Sequence, residues 1–545
     1  MMNFKDKVVY QIYIKSFQDS NGDGIGDLNG ITQRLPQLAE LGVDIVWITP
    51  FFNSPQYDNG YDVADYKSID PMFGNFEDFD NMMKKAKSLN IDIMVDMVFN
   101  HTSTQHEWFQ KALSGDEKYQ NYYIFKDSKD GKEPTNWLSK FGGSAWKYVE
   151  KLDKWYLHLF HVEQADLNWD NPEVREEIFD VVKFWKDKGV AGFRLDVVNL
   201  ISKPEKFEND FEGDGRGFYT DGPNIHKYLK ELSKKGEFRD LITVGEMSST
   251  SLENCILYSN PNEKELSMVF NFHHLKVDYK NGKEKWILDG IRWDDLFGLF
   301  DRWQTEMQEK GGWSAWFFNN HDQPRAISRF CDDKNYHYES ATLLGTLTHM
   351  MRGTPYIYQG EEIGTTNPRY STIDEYLDVE SKNYFNILLE EGMSEKEALH
   401  VISERSRDNG RTPIAWEENS VNYGFSETKP WLGFGNVSNY YDKDKKVEKS
   451  IFKYYQKLIK LRKNFKAISE GRYKKVNSIY QSYVFERISE NEEILVILNF
   501  KDFSKNLDIS KEIIEKYKDG EILINNYDNF DIENLRPYQA VVLKK

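Results

Sequence analysis

Short apolar runs alternate along this chain with stretches in which apolar positions recur every three or four residues. Runs of the first kind lie at residues 8–17, 43–50, 91–101, 190–198, 242–247, 266–272, 313–322 and 354–361. Their near-continuous apolar character predicts strands buried on both faces, as in a parallel sheet covered by helices. Helical spacing fills the intervals. Ile31, Leu35, Leu38 and Leu41 share one face, and Gly42 ends the run. Phe76, Phe79, Met83, Ala86 and Leu89 repeat the pattern. Asn171, Pro172 and Glu173 read as N-cap, first-turn proline and first-turn acid, ahead of an apolar face of Val174, Ile178, Val181, Val182 and Trp185. Residues 293–310, 338–351 and 447–465 also predict helices. Eight strand-plus-helix units predict an α/β fold, a (β/α)8 TIM barrel.

Two segments break the rhythm. Residues 102–170 are too long for a loop and carry an aromatic, Gly-rich pattern, so they predict a small domain inserted after strand 3. From about residue 471 the pattern becomes strand-like alternation, which predicts a C-terminal antiparallel β domain, a β-sandwich over 471–545. The barrel then comprises 1–101 and 171–470, with a long irregular stretch at 364–446 expected over its mouth.

Composition narrows the function. A net charge of −18 over 545 residues argues against a nucleic-acid partner, which needs an excess of Lys and Arg. Only Cys255 and Cys331 are present, so no disulfide scaffold or zinc spacing exists. No run is long enough to span a membrane and no apolar signal segment opens the chain, which predicts a cytoplasmic protein without a membrane partner. A monomer is expected.

The site of such a barrel lies at the C-terminal ends of its strands. There the sequence places Asp96, Asn100 and His101; Arg194 and Asp196; Glu246; Asn319, Asn320, His321 and Asp322; and Gln359 and Glu361. Acids and imidazoles without cysteine or a phosphate-cradling glycine loop suggest carboxylate chemistry on a polyhydroxylated substrate.

Four of these stretches, DMVFNH (96–101), GFRLD (192–196), GEM (245–247) and NHD (320–322), resemble in order and position the signature motifs of the α-amylase superfamily, glycoside hydrolase family 13. DNGYD (58–62) and SRDNGRTP (406–413) resemble its oligo-1,6-glucosidase branch. The resemblance implies Asp196 as nucleophile, Glu246 as general acid/base and Asp322 as transition-state stabiliser. A retaining glycosidase needs one ionised carboxylate to attack the anomeric carbon and one protonated carboxyl to protonate the leaving oxygen. Their environments should therefore push the two pKa values apart. Arg194, two residues before Asp196 and so on the same strand face, would keep the nucleophile ionised. The resemblance assigns Asp58, Tyr61, His101, His321 and Arg411 to a pocket for the terminal glucose, with Phe160 and Gln164 of the insert on its wall. Val197, next to the nucleophile, resembles members that cleave linkages other than α-1,4. Tyr57, beside Asp58, departs from the polar residues expected there.

Asp19, Asn21, Asp23 and Asp27 in DSNGDGIGD have the alternating oxygen spacing of a calcium loop. Related glucosidases carry a structural metal there, which implies Ca2+ or Mg2+, with Ile25 offering its carbonyl. No cofactor is expected for catalysis.

Substrate choice rests on further stretches: PTNWLSKFGGSAW (134–146), EGDGRGFYTDGP (212–223), GEMSSTS (245–251) and FHHLKVDY (272–279). They resemble the subgroup of the family that hydrolyses α,α-trehalose 6-phosphate to glucose and glucose 6-phosphate. A phosphomonoester carries about −1.5 to −2 charges near neutral pH. An acidic protein must supply local cations for it. His273, His274 and Lys276, with Lys283 and Lys285, form a basic patch. His274 and Lys276 are the expected phosphate contacts, with Lys285, Arg216 and Arg325 as further candidates. The alternatives are an exo-acting oligo-1,6-glucosidase or dextran glucosidase, a glucosyl transferase or isomerase, and a non-catalytic binding subunit. The last predicts a lost acid and a membrane anchor.

Overall fold

A computed structural model of the chain describes residues 3–128, 130–282, 284–477, 481–506 and 509–545. The chain divides into two compact units, residues 47–84 with 92–271 and residues 3–46 with 85–91 and 272–545.

Eight strands form the main sheet: β1 (Val9–Ile12), β2 (Ile45–Ile48), β3 (Asp92–Met97), β4 (Gly192–Leu195), β5 (Ile242–Glu246), β6 (Met268–Phe270), β7 (Ala315–Trp316) and β8 (Thr354–Tyr358). Their order is β6-β5-β4-β3-β2-β1-β8-β7. The first and last strands of the series are thus neighbours, and they pair in parallel, Val9 opposite Tyr356. This is the topology of a (β/α)8 barrel, nearly closed. Residues of β1, β2, β4 and β8 are buried along their whole length, as expected of strands covered on both faces. Gly192 opens β4 because a Cβ there would meet the Ile242 carbonyl oxygen of β5 at 2.2 Å.

The helices start and stop on the signals read from the sequence. Leu28–Leu41 is capped by the Asp27 carboxylate, which accepts from the Gly30 amide, and ends at Gly42 with φ +99°. Pro172–Asp187 starts from Asn171 with proline in its first turn. Trp293–Glu309, His337–Met350 and Ile451–Asn464 fall where the periodicity predicts.

The segment read as irregular, 364–446, is not. It contains the helices Val379–Glu390 and Glu395–Arg405, each with a side-chain N-cap, and a capping box joins Ser394 to Glu397. Their apolar stripes are narrow and their charge density is high, so periodicity alone did not reveal them. Phe385, Leu388, Ala398, Val401 and Ile402 bury that stripe with Trp286, Tyr370, Tyr376 and Leu432.

In the first unit, the chain after β3 forms the helix Glu107–Leu113 and a three-stranded antiparallel sheet of Phe125–Asp127, Lys154–Leu157 and Trp146–Val149. Trp137, Trp146, Leu157 and Leu159 bury its aromatic pattern against Val197, Leu200 and Tyr219. In the second unit, the C-terminal strands Arg472–Asn477, Ser482–Ile488, Glu493–Asn499, Ala540–Lys544 and Glu521–Asn525 form, in that order, one five-stranded antiparallel sheet. The helix Lys511–Tyr517 contributes Ile513 and Tyr517 to its core of Val484, Leu495, Ile497, Val541 and Leu543. Among the described residues, no helix is long and apolar enough to cross a membrane.

Candidate active site

Arg194 organises the site in the first unit. Its side chain is buried at the end of β4, and one terminal nitrogen donates to both Asp96 Oδ1 and Asp196 Oδ1, at 2.6 Å each. The other terminal nitrogen forms an ion pair with Glu246 Oε2 at the end of β5. Strand geometry explains the convergence. Arg194 pairs in register with Asp96 on β3 and with Val244 on β5, two residues before Glu246. Burial works against the guanidinium charge, but the carboxylates of Asp96 and Asp196 outweigh it and raise the Arg194 pKa. Burial likewise raises the Asp96 carboxyl, opposed by Arg194 and by hydrogen bonds from Tyr61 Oη at 3.0 Å and Trp47 Nε1 at 3.1 Å.

Two carboxylates on the two terminal nitrogens of one guanidinium stand close together. Two carboxyl groups held at one place are what glycosidase chemistry uses, one to act on the anomeric carbon and one on the leaving oxygen. Val197 follows Asp196 at φ +33°, in the left-handed region that a β-branched residue seldom adopts, and the chain turns there into a short 3-10 helix.

His101 is not on β3. It opens a short strand, His101–Ser103, that pairs antiparallel with Gln164–Asp166, so that His101 lies opposite Asp166 and Ser103 opposite Gln164. This ribbon assembles the expected pocket wall. Gln164 Nε2 donates to Asp58 Oδ2 at 3.1 Å and to the Tyr61 carbonyl at 3.2 Å. His101 Nε2 lies 3.1 Å from the same carbonyl, and Phe160 packs at 5.2 Å between ring centres. Burial lowers the His101 pKa to about 4, so it is neutral at physiological pH. The loop carrying Asp58 and Tyr61 is held by Asp62, which accepts from the amides of Tyr57 and Asp58 and from Ser54 Oγ. Gly60 sits at φ +100°, where a Cβ would approach the Pro50 carbonyl to 2.9 Å.

Behind His101 lies a residue that sequence reading missed. Lys203 is buried, and its ammonium meets Asp166 Oδ1 at 2.7 Å, Asn100 Oδ1 at 2.8 Å and the Leu200 carbonyl at 2.6 Å. Asn100 in turn contacts His101 Nδ1 at 3.1 Å. Asn100 stands inside a quoted motif, but nothing in the sequence signals the distant Lys203 and Asp166 as its partners.

In the second unit, Asp322 follows β7 with its side chain about one-third exposed (35%). It accepts from Arg411 Nη2 at 2.6 Å, and Arg407 Nη1 lies 3.5 Å away. Burial opposes its charge, but His321, Arg407 and Arg411 hold the carboxyl well below the usual carboxylate range. His321 is stacked on Tyr13, and its Nδ1 lies 2.8 Å from Gln11 Nε2. Arg411 Nε donates to the His321 carbonyl at 2.9 Å. Buried Asp378 accepts from Arg407 at 2.7 Å and lies 3.7 Å from Arg411. Gln11, Tyr13, Asp378 and Arg407 are therefore part of the Asp322 surroundings, and only Arg407 lay within a quoted motif.

The phosphate candidates fare unevenly. His274 is buried among Phe300, Trp316, Phe317 and Phe318, with Nε2 2.8 Å from the Phe317 carbonyl. Burial lowers its pKa to about 3, so it is neutral and supplies no charge for a phosphate. Arg325 is also buried and donates to the carbonyls of Gln359 and Gly410, a structural bridge rather than an anion contact. Arg216 forks onto Asp214. Lys285 is paired with Glu380 at 2.8 Å. Lys276 ends the short helix His273–Lys276 and is half-buried. Lys283 lies outside the described residues.

In the expected metal loop, Asp19 accepts from the amides of Asn21, Gly22 and Gly24 and from Ser426 Oγ. Asn21 and Asp23 accept from the amides of Asp23 and Ile25, and Asp27 accepts from Ser20 and Gly30. The donor set is all oxygen and suits a hard cation. Among the described residues, no group of three or more His, Cys, Asp or Glu side chains is arranged to hold a metal ion.

Residues 11–471 match the family described as alpha amylase, catalytic domain. The chain is 46% identical to the trehalose-6-phosphate hydrolase of Bacillus subtilis (strain 168), with 99% of this chain and 98% of that protein covered. It is 44% identical to the oligo-1,6-glucosidase of Bacillus cereus, with 99% of each covered. The crystal structure of Bacillus licheniformis trehalose-6-phosphate hydrolase superposes with a TM-score of 0.94 at 45% identity, covering 99% of both chains.

Proposed function

Because this chain belongs to the alpha-amylase catalytic-domain family, we propose that it is a retaining glycosidase that hydrolyses α,α-trehalose 6-phosphate to glucose and glucose 6-phosphate. The observation that carries the chemistry is the pair of carboxylates, Asp196 and Glu246, on one guanidinium. Asp196 attacks the anomeric carbon of the unphosphorylated glucose while Glu246 gives its proton to the glycosidic oxygen. The C–O bond breaks and glucose 6-phosphate leaves. Glu246, now ionised, takes a proton from water; the water oxygen attacks the same carbon, the bond to Asp196 breaks, and glucose leaves with its configuration retained. Asp322, ionised beside Arg407 and Arg411, is the third acid of the family scheme and favours the positive charge of the oxocarbenium-like state. Asp58, Tyr61, His101, Gln164, His321 and Arg411 bind the hydroxyls of the retained glucose.

The full-length similarity to a trehalose-6-phosphate hydrolase supports the substrate, and Lys276 remains the candidate phosphate contact of the basic patch. A phosphorylated sugar does not cross a membrane unaided, which supports a cytoplasmic site of action. The oxygen-rich loop at residues 19–27 is proposed to hold a structural Ca2+ or Mg2+, outside the reaction. The test is glucose release from trehalose 6-phosphate, trehalose and isomaltose at equal concentration. Rapid release from the phosphorylated sugar alone is the expected result; preference for isomaltose overturns the substrate in favour of an oligo-1,6-glucosidase.

A further inference from the structure

Glu246 delivers its proton to the leaving oxygen, so the leaving sugar lies on the side that Glu246 faces. Past the end of β5, Met247 is buried while Glu246, Ser248 and Ser249 are half-buried, so the chain reaches the open end of the strand within two residues of the acid/base. Ser248 is fixed at both backbone polar groups by one side chain. Its amide donates to Asn199 Oδ1 and its carbonyl accepts from Asn199 Nδ2, at 2.9 Å each. Asn199 Nδ2 is itself anchored on Asp221 Oδ1 at 3.0 Å.

The Ser248 hydroxyl accepts a hydrogen bond from Lys140 Nζ at 3.1 Å, 108 residues away in sequence. The same ammonium stands 5.9 Å from the Phe160 ring centre and 5.6 Å from that of Tyr219. Phe160 packs on His101 of the glucose pocket. The Lys140 backbone is tied to the strand leading to Phe160 by its amide bond to the Leu159 carbonyl, 2.9 Å, within a turn closed from Gly142 to Ser139. A cation beside a hydroxyl and two ring faces, and within electrostatic reach of the Asp214 carboxylate, therefore stands between the glucose pocket wall and Ser248, two residues after the acid/base.

We propose that Lys140 is a specificity-determining residue that binds the phosphate of the leaving sugar. The inference rests on the sugar-phosphate reading above. It places a phosphate cation on the inserted segment of the first unit, in addition to the Lys276 candidate. A lysine suits this task as a point charge on a flexible stem, and hydrogen bonds to charged groups are the strong ones.

The experiment compares kcat/KM for trehalose 6-phosphate with that for 4-nitrophenyl α-glucoside, which shares the retained glucose but carries no phosphate. Full-length wild type, Lys140→Ala, Lys140→Arg and Ser248→Ala are measured, with glucose 6-phosphate as product inhibitor. The expected result is that Lys140→Ala lowers the ratio of the two constants at least tenfold, mainly through KM, and weakens inhibition by glucose 6-phosphate in parallel. Lys140→Arg restores most of the ratio, and Ser248→Ala lowers it in the same direction by less. An unchanged ratio in Lys140→Ala, or equal losses on both substrates, overturns the inference while leaving the substrate reading intact. A wild-type enzyme without preference for the phosphorylated sugar overturns that reading, and this inference with it. Should Lys140→Ala fail to fold, the Lys140→Arg and Ser248→Ala ratios decide: wild-type ratios in both overturn the proposal.

Discussion

Arg194 donates to Asp196, two residues on and just past the end of β4, at 2.6 Å, and the same nitrogen serves Asp96. Without this guanidinium, three carboxyl groups (Asp96, Asp196 and Glu246) would face one another with no cation between them. Arg194→Gln should therefore lower kcat/KM by about 10²–10³, the usual effect of losing one electrostatic partner of the transition state. It should also move the acid limb of the pH–rate profile upward, because loss of a cation disfavours the ionised nucleophile. A profile with unchanged limbs would show that Arg194 only shapes the site.

Wild type should give a bell-shaped profile of kcat/KM, limited by ionisation of Asp196 on the acid side and of Glu246 on the alkaline side. Glu246→Gln should cost about 10²–10⁴ in kcat/KM on trehalose 6-phosphate, the constant that reports the first step and the range for loss of a general acid. The loss should be much smaller on 4-nitrophenyl α-glucoside, whose leaving group needs no proton. Equal losses on both would remove Glu246 from the acid role.

Lys203→Met removes the cation from a buried ion pair and leaves Asp166 uncompensated beside Asn100. Breaking such a pair from one side destabilises by about 3–5 kcal/mol. Urea unfolding should show that loss, with KM rising as His101 loses its support. A midpoint equal to wild type would exclude a stabilising role for the pair.

Burial raises the Glu362 carboxyl to about 7, while its Oε1 accepts from Tyr10 Oη at 2.7 Å. The folded state thus holds a proton that the unfolded chain releases near pH 4.3. Between that value and about 7 the folded form binds more protons, so this group's contribution to stability falls as pH rises through the interval. Glu362→Gln should remove the slope, with little effect on melting temperature at pH 4.5 and a gain at pH 8. The gain is bounded by about 4 kcal/mol, at about 1.4 kcal/mol per unit of pKa. A difference between variant and wild type that does not change with pH would sink the assignment.

If the loop from Asp19 to Asp27 holds Ca2+ or Mg2+, chelation should lower the melting temperature by several degrees, and added Ca2+ should restore it. Activity at 25 °C should change little. No shift on chelation would leave the loop to its own Asx hydrogen bonds.

Much of this architecture was legible along the chain, for physical reasons that differ between elements. Strands covered on both faces must be apolar throughout, so β1, β2, β4 and β8 announce themselves. Asn171–Pro172 and Gly42 mark helix ends through local backbone chemistry. Chemistry-bearing residues at strand ends followed once the strands were placed. The misses depend on long-range geometry. Lys203 reaches Asn100 across 103 positions, and Asp378 reaches Arg407 across 29. His274 read as a cation because its neighbours in sequence are basic, whereas its neighbours in space are aromatic. Tyr57, unexplained by sequence, stacks on His161 at 5.6 Å between ring centres.

The ribbon of His101–Ser103 with Gln164–Asp166 has a consequence for how the inserted segment can vary. Its two ends enter and leave side by side, already hydrogen-bonded to one another, so the closure of residues 104–163 is secured at the base. Changes in the length of the excursion add little entropy once its ends are joined, since closure grows only with the logarithm of loop size. The insertion is thus a cassette on a clasp. Its outer part, where Lys140 sits, is open to exchange between enzymes that keep the same clasp, while His101 and Gln164 stay with the clasp itself.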